Sequence, residues 1–277
     1  MKNESFEVDV QDVEYQKLDG KPWLIRMYQP KGSGPFPTVL EVHGGAWHMG
    51  DRTNNEGMDR ALAENGIVVG AVDFRQPPEA GYPASLSDVN LATRWLKAHA
   101  GEFKGTSNIG LFGNSSGGHQ VVLSALRPRD SRYSALPLSD GRKADASVSY
   151  VIAAWPVIDP LYRFRYAKEF NRQPHIDAHI AYWRTEEAMA EGSPQTIIDD
   201  EENLELPPIL MILKANDKNH PLPMQERFIA SYKKRGGNIE VHTFEGLPEH
   251  RVAPNPEKPD TIRLIEVMTD FIQRQSR

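Results

Sequence analysis

The sequence predicts an α/β protein in which helices cover both faces of a mostly parallel, doubly wound sheet. Along most of the 277 residues, short apolar segments alternate with stretches of helical periodicity, and this alternation is typical of parallel sheets. Residues 67–74 form an almost unbroken apolar run, as expected of a strand that is buried on both faces. Before this pattern begins, residues 6–10 and 23–28 are predicted to pair as an antiparallel hairpin around Asp19-Gly20.

The other elements follow in chain order. Further strands are predicted at 38–42, 108–112, 147–153, 209–214 and 239–244. Helices are predicted at 55–65, 86–99, 116–126, 222–235 and 260–273. Gly66 ends the first of these helices, and Gly236-Gly237 suits a left-handed stop after the fourth.

One segment interrupts the alternation. Residues 156–206 contain no convincing sheet strand, although they are rich in aromatic side chains. A segment of this size in a compact domain is usually a functional element, and ligands of open α/β sheets bind at the carboxyl edge of the strands. We therefore expect a helical lid over that edge, inserted at about 156–206 into a single domain of 1–277. The alternative is a packing decoration away from any site.

Composition narrows the classes of function. The chain has 32 Lys and Arg against 38 Asp and Glu, and this acidic balance argues against nucleic acid as a partner. Because there is no cysteine, disulfide scaffolds, thiolate metal sites and cysteine nucleophiles are excluded. Apolar runs are shorter than the roughly 18 residues of a membrane span, and residues 1–7 lack the apolar run of a signal peptide. We expect a cytoplasmic protein with no membrane partner, and a homodimer stays open.

The strongest functional motif is Gly113-Asn114-Ser115-Ser116-Gly117-Gly118, which lies between a predicted strand and a predicted helix. In that context G-x-S-x-G predicts a nucleophile elbow, a tight turn that lifts the hydroxyl of Ser115 above the sheet. The turn also aims the amide of Ser116 at an oxyanion beside that hydroxyl. The alternatives are a glycine-rich turn without chemistry and a phosphate-binding loop, but the Walker-type Lys-Ser/Thr is absent.

A second motif, His43-Gly44-Gly45-Ala46-Trp47, directly follows a predicted strand. Consecutive glycines allow backbone amides to face outward, as an oxyanion hole requires. Gly44 and Gly45 are therefore predicted to be oxyanion donors together with Ser116, and His43 is expected to support the loop. A plain Gly-Gly turn is the alternative.

A serine nucleophile needs a base, and the base needs a carboxylate that orients it. Of nine histidines, His250 lies in the loop between the last strand and the last helix, at the carboxyl edge, and is the predicted base. Asp217 follows strand 209–214 at the same edge and is the predicted acid, although it could instead cap the next helix. The order Ser115, Asp217, His250 is that of α/β hydrolases. His220 competes as the base but lies only three residues after the acid.

These motifs resemble the hormone-sensitive-lipase-like branch of the α/β-hydrolase esterases. The resemblance rests on 43–47, 113–118 and shorter matches at 72–79, 192–194, 207–208 and 246–250, and it covers most of the chain from about residue 38 onward. It implies an α/β-hydrolase fold and a Ser-Asp-His carboxylesterase that needs no cofactor. The residues implied are the triad Ser115, Asp217 and His250 and the oxyanion donors Gly44, Gly45 and Ser116.

Three features depart from that family. Ala46 stands where the branch often has a third glycine, so the chain is also similar to kynurenine formamidases and to small acetyl or feruloyl esterases. The first motif begins at residue 43, which leaves little room for the N-terminal helical cap of many relatives and predicts a more open site. His119 stands where relatives usually have a small residue, and it is expected to narrow or polarise the floor of the site behind the nucleophile.

The predicted reaction is hydrolysis of short-chain or aryl carboxylic esters through an acyl-enzyme on Ser115, with a small-molecule ester as the partner. An arylformamidase-type amidase is the near alternative, and a non-catalytic ligand-binding protein on the same fold is the distant one. The residues predicted to contact the substrate are Trp47, His119, Trp155, Tyr182 and Trp183.

Two further patterns are interpreted as structural. His175 and His179 lie four residues apart on a predicted helix, but they lack the Glu of H-E-x-x-H and a third ligand, so no metal is expected. The acidic run 199–202 is interpreted as a solvated loop, with a cation site as the remote alternative.

Overall fold

The computed structural model describes residues 5–200, 203–245, 247 and 258–277. The strands are β1 (Val8–Leu18), β2 (Lys21–Pro30), β3 (Phe36–Val42), β4 (Val68–Val72), β5 (Gly105–Asn114), β6 (Tyr150–Ala154), β7 (Ile209–Lys214) and β8 (Ile239–Phe244). The α-helices are α1 (Glu56–Glu64), α2 (Ala84–His99), α3 (Ser116–Leu126), α4 (Pro160–Glu169), α5 (Gln173–Trp183), α6 (Glu186–Glu191), α7 (Pro194–Asp200), α8 (Leu222–Lys234) and α9 (Pro259–Gln275).

The strands form one sheet in the order β1-β2-β4-β3-β5-β6-β7-β8. β1 pairs with β2, and β2 with β4, in antiparallel fashion, whereas the other neighbouring strands are parallel. The predicted opening hairpin and the mostly parallel sheet are confirmed. β1 extends well beyond the predicted 6–10 because it pairs with β2 as far as the Asp19-Gly20 turn, where both residues have positive φ.

Apolar side chains fill both faces of the sheet. All five residues of β4 are buried, since Val68 and Val72 belong to one core while Val69 and Ala71 belong to the other. The helices α2, α3 and α8 contribute to the first core, and α1 and α9 to the second. Burial on both faces explains why the central strands are nearly continuous apolar runs in the sequence.

Four helices, α4 to α7, lie between β6 and β7 and occupy the predicted strand-free segment. We call residues 160–200 the helical segment. Its first helix begins where Asp159 Oδ1 accepts the amide of Tyr162 at 3.0 Å, an N-cap that the following proline reinforces. The segment packs against the loop after β3, where Trp47 and Tyr182 stack with ring centroids 5.3 Å apart. The helical segment therefore lies at the carboxyl edge of the sheet.

Candidate active site

Ser115 occupies a strained turn between β5 and α3. Its backbone has φ 53° and ψ −117°, a conformation that an L-residue rarely adopts. The turn is tight: a Cβ on Gly113 would lie 2.5 Å from the Gly117 carbonyl oxygen, and one on Gly117 would lie 2.0 Å from the carbonyl oxygen of Val42. Both glycines are therefore required by close backbone contact, as the elbow motif predicts.

A histidine and an aspartate form a hydrogen-bonded series that begins at the hydroxyl of Ser115. Ser115 Oγ lies 3.0 Å from His220 Nε2, and His220 Nδ1 lies 2.8 Å from Asp217 Oδ2. Since a carboxylate only accepts, Nδ1 carries the imidazole hydrogen and Nε2 is free to accept the hydroxyl proton of Ser115. The three side chains are thus arranged as a nucleophile, a base and an acid that orients the base.

His220 reaches this position because the chain turns sharply after β7. Asp217 Oδ1 accepts the amides of Asn219 at 2.8 Å and of His220 at 3.1 Å, which folds the loop back on itself. The spacing Asp-x-x-His is the sequence signal for this contact, and His220 is the residue that competes with the predicted base His250. His250 lies outside the described residues.

Burial sets the pKa of His220, and hydrogen bonding sets that of Asp217. Burial lowers the pKa of His220 to about 4, and the hydrogen bond and charge of Asp217 offset only part of this effect. Burial by itself raises the pKa of Asp217, but the hydrogen bond and charge of His220, with the amides of Asn219 and His220, outweigh it and lower this pKa to about 2. At neutral pH the imidazole is neutral and the carboxyl is ionised, as a base and its orienting acid must be.

Of the three predicted oxyanion donors, one has a backbone amide that is already hydrogen-bonded. The amide of Gly44 donates to Asn114 Oδ1 at 3.0 Å, so it is not free to bind an oxyanion, and its predicted role is corrected on this ground. Gly45 and Ala46 line the same cavity as Ser115. Within the described ranges, the amides of Gly45, Ala46 and Ser116 have no hydrogen-bond partner.

The loop after β3 is held against the elbow from several sides. The amide of Trp47 donates to Ser116 Oγ at 3.1 Å. His43 is fully buried, stacks on Phe74 with centroids 4.4 Å apart, and its Nδ1 lies 2.6 Å from the Gly44 carbonyl oxygen. His43 thus supports the loop, as its place in the motif indicates.

A cavity of about 690 Å³ opens beside Ser115. This volume is within the range of small-molecule sites, roughly 300–1,000 Å³. Residues from the loop after β3, the strand ends and the helical segment line it, among them Gly45, Ser115, Trp155, Arg163, Ala178 and His220. In the described part of the chain, Trp155 is the only predicted substrate contact in this lining.

The other four predicted contacts lie together behind the cavity. Trp47 stacks on Tyr182 and meets Trp183 edge to face, with centroids 5.7 Å apart. Trp47 Nε1 donates to His119 Nδ1 at 3.2 Å, and His119 Nε2 donates to the carbonyl of Gly192 at 2.8 Å. Burial lowers the pKa of His119 to about 4, which keeps it neutral in both bonds. This aromatic cluster joins α3, the loop after β3 and the helical segment.

Residues of the two patterns considered for metal binding make contacts of other kinds. His179 Nδ1 lies 2.7 Å from the backbone oxygen of His175, and its ring packs against Trp47. Asp199 accepts hydrogen bonds from Ser231 at 2.7 Å and Arg227 at 2.6 Å. Among the residues with described positions, no three His, Cys, Asp or Glu side chains are grouped to hold a metal ion.

Comparison with known proteins shows which family the chain belongs to. A family model described as BD-FAE matches residues 25–228, which is more than half of the 277 residues. The chain belongs to the BD-FAE family. The match includes the loop after β3, the elbow, Asp217 and His220.

This BD-FAE chain also has relatives in Mycobacterium tuberculosis. It is 28% identical to "Probable carboxylic ester hydrolase LipM" over 232 residues, which cover 79% of the chain and 50% of LipM. It is 29% identical to "Esterase LipC" over 235 residues, which cover 79% of the chain and 56% of LipC. The chain thus spans about half the length of these two relatives.

Solved structures resemble the whole chain. A hyperthermophilic esterase from the archaeon Pyrobaculum calidifontis matches with a TM-score of 0.76 at 22% identity, over 97% of this chain and 86% of that one. Esterase B from Lactobacillus rhamnosis matches with a TM-score of 0.79 at 20% identity, over 99% of this chain and 87% of that one. The predicted α/β-hydrolase fold is confirmed, and with the family match so is the resemblance to the hormone-sensitive-lipase-like branch. None of the helices in the described ranges combines the length and apolar character of a membrane span.

Proposed function

We propose that this protein is a serine carboxylesterase that hydrolyses short-chain or aryl carboxylic esters through an acyl-enzyme intermediate. The observation that carries the proposal is the hydrogen-bonded series from Ser115 Oγ to His220 Nε2 at 3.0 Å and from His220 Nδ1 to Asp217 Oδ2 at 2.8 Å. A hydroxyl, an imidazole and a carboxylate in this order perform acyl transfer on unrelated folds. LipM and LipC, which are named as an ester hydrolase and an esterase, support the same class of reaction.

In the proposed first half-reaction, Ser115 Oγ bonds to the ester carbonyl carbon while its proton passes to His220 Nε2. Asp217 stabilises the imidazolium that forms. The amides of Gly45, Ala46 and Ser116 stabilise the oxyanion, and each such donor contributes about 2.7–4 kcal/mol at the transition state. When the carbonyl re-forms, the carbon–oxygen bond to the alcohol breaks and the alcohol takes the proton from Nε2.

The second half-reaction repeats these steps with water. Water attacks the acyl carbon while its proton passes to His220 Nε2, and Ser115 Oγ then leaves and regains that proton. The products are the carboxylic acid, the alcohol and the original enzyme. This scheme requires only side chains and backbone amides of the chain itself.

The proposal extends to the helical segment. Arg163 of α4 and Ala178 of α5 line the cavity, so the segment covers the nucleophile as a lid of a single 1–277 domain. A cavity of about 690 Å³ accommodates a short acyl chain with an alkyl or aryl alcohol, and this size favours small esters over long-chain lipids.

A substrate panel tests the reaction class. Initial rates are measured on 4-nitrophenyl acetate, butyrate, octanoate and dodecanoate, with N-formylkynurenine alongside and Ser115→Ala as the inactive control. We expect the wild type to hydrolyse the short-chain esters and Ser115→Ala to leave them intact. Fast deformylation beside weak ester turnover would assign the amidase reaction, which uses the same residues. Folded protein that is silent on every compound would move the assignment to a ligand-binding protein.

A second experiment identifies the base. We expect His220→Gln to lower kcat by roughly 10²–10⁴-fold, the usual contribution of a general base. The matched control is His99→Gln, a largely buried histidine that stacks on Trp95 in α2. A large loss in His250→Gln together with normal rates in His220→Gln would assign the base to His250 instead.

A further inference from the structure

Arg163 is a buried cation in the wall of the cavity that holds Ser115. Its side chain extends from α4, is only 3% exposed, and lines the cavity together with His220. Its Nε donates to the backbone oxygen of Asn219 at 3.0 Å, while its Nη1 is buried without a hydrogen-bond partner among the described residues. A guanidinium has five N–H groups, so most of the hydrogen-bonding capacity of Arg163 finds no acceptor among the residues that the structure describes.

The charge of Arg163 is also only partly compensated by the described residues: Asp217 attracts it without forming an ion pair, and its guanidinium lies 6.0 Å from the centroid of the Trp47 ring. Burial lowers its pKa only to about 10, so it remains a cation at neutral pH. Within the described ranges it forms no ion pair, and the nearby carboxylate of Asp217 is engaged by His220 and by the loop amides. Buried charges are normally paired, because an unpaired charge loses its hydration without replacement.

The other charged groups that the structure describes around the cavity form no ion pair with Arg163. Arg172 Nη1 donates to Asn219 Oδ1 at 3.2 Å, which places a second cation on the residue that Arg163 contacts. Asp177 also lines the cavity, and its Oδ1 accepts the side-chain amide of Gln173 at 2.7 Å within α5. Asp177 forms no ion pair with Arg163.

We propose that the cavity takes esters that carry a free carboxylate, in either the acyl or the alcohol part, and that Arg163 binds this carboxylate. A guanidinium matches a carboxylate with two parallel hydrogen bonds, so an ester of this class fills the unused donors and neutralises the buried charge. This inference rests on the ester hydrolysis proposed above and specifies its substrate class.

A rival role for Arg163 is positioning alone. Its bond to Asn219 holds the turn that carries Asp217 and His220, so its loss could slow every substrate equally. Matched ester pairs separate the two roles, because only the binding role changes the preference between a carboxylate ester and its neutral counterpart. One pair varies the acyl part, mono(4-nitrophenyl) adipate against 4-nitrophenyl hexanoate. The other varies the alcohol part, 4-acetoxybenzoate against 4-acetoxybenzamide.

The measurement is kcat/KM for both pairs in the wild type, Arg163→Met and the control Arg165→Met. Arg165 lies on the same helix, is exposed and pairs with Glu186. In the wild type we expect at least one carboxylate ester to be preferred over its neutral counterpart by roughly tenfold or more, as charge-assisted hydrogen bonds allow. Arg163→Met should abolish this preference, and Arg165→Met should keep it. The pair that shows the preference identifies which part of the substrate carries the carboxylate.

Two outcomes overturn the inference. One is a wild-type protein that favours the neutral ester in both pairs. This result is obtained on the wild type alone and does not depend on whether a variant folds. The other is an Arg163→Met protein that slows both members of a pair equally, since that result leaves Arg163 with positioning alone. Either outcome spares the proposed esterase function, because the neutral esters are still hydrolysed. Failure to hydrolyse all four compounds would instead count against the esterase function itself.

Discussion

The side-chain oxygen of Asn114, the residue before Ser115, accepts the backbone amide of Gly44 at 3.0 Å. The same oxygen accepts Asn55 Nδ2 at 2.9 Å. Asn114 thereby fixes the loop after β3 to the end of β5, and with it the position of Gly45 relative to Ser115. The buried side-chain amide of Asn114 thus connects the motif at 43–47 to the motif at 113–118.

Replacement of Asn114 should therefore impair turnover more than binding. In Asn114→Ala the amide of Gly44 loses its acceptor, and a shift of about 1 Å in a catalytic group costs on the order of 10²-fold in rate. We expect kcat for 4-nitrophenyl butyrate to fall on that order while KM changes little. The control is Asn90→Ala, another buried asparagine, whose Nδ2 donates to the Pro128 carbonyl in a different part of the fold. Equal kcat in the two variants would contradict the assigned role of Asn114.

Gly45 should not tolerate a side chain. Its φ is +117°, and a Cβ there would lie 1.9 Å from the carbonyl oxygen of Met49. Because the loop must move to admit alanine, Gly45→Ala should lose an oxyanion donor and lower kcat by roughly 10²–10³-fold. Gly20→Ala is the matched control: φ is also positive, at +80°, but no atom lies within 4 Å of the added carbon. Similar kcat values for the two variants would argue against the role of the Gly45 amide.

Asp217 should be essential for turnover but not for folding. Asp217→Asn removes the charge that orients His220, and the corresponding change in another Ser-His-Asp enzyme costs roughly 10⁴-fold in kcat. We expect a loss on that order with a thermal unfolding midpoint close to wild type. The control is Asp199→Asn, which loses bonds to Ser231 and Arg227 instead. A near-normal rate in Asp217→Asn would assign the acid elsewhere.

The pH profile should report the buried base. An imidazole accepts a proton only when it is neutral, that is, above its pKa, and burial lowers the pKa of His220 to about 4. The acid limb of kcat/KM, which reports groups of the free enzyme, should therefore have its midpoint near pH 4 rather than near 6.5. A midpoint of 6.5 or higher, measured with enzyme that is stable over the range, would indicate a more solvated base than His220.

A buried carboxyl pair, Glu41 and Asp59, should contribute less to folding stability as the pH rises. Glu41 and Asp59 are fully buried; Glu41 accepts Asn55 Nδ2 at 2.6 Å, and Asp59 has no partner in the described structure. Burial raises the pKa of both groups, that of Glu41 to about 8. At these two groups the folded state therefore binds more protons than the unfolded chain, and their contribution to stability is lost as pH rises from about 5 toward 8. The buried neutral histidines, His220 and His119 among them, contribute with the opposite sign below about pH 6.5.

One excess proton corresponds to about 1.4 kcal/mol per pH unit in the free energy of unfolding. Urea unfolding of the wild type and Glu41→Gln from pH 5 to 8 isolates this contribution. The stability of the variant relative to the wild type should increase with pH, because glutamine does not titrate. A stability difference between the two proteins that does not change with pH would contradict the assignment.

The local sequence determined the elements and the elbow. Residues 209–213 are apolar and β-branched or long, and the predicted strand 209–214 coincides with β7. The elbow was predictable because Gly113 and Gly117 meet a steric demand that few other sequences satisfy. Asp217 was predictable as a carboxylate at the end of a strand. The helical segment was recognisable by the absence of strand patterns between β6 and β7.

Tertiary structure decided which groups are free and which are engaged. The amide of Gly44 is taken by Asn114, seventy residues away in the chain, and no local pattern reveals this bond. Four of the five predicted substrate contacts pack against one another rather than in the cavity wall, because large aromatic side chains stabilise most when they are buried. Sequence periodicity specifies which side chains turn inward. Only the folded chain decides that His220 meets Ser115 and that Arg163 is buried beside them with no ion pair among the described residues, since both features depend on where separate elements come together.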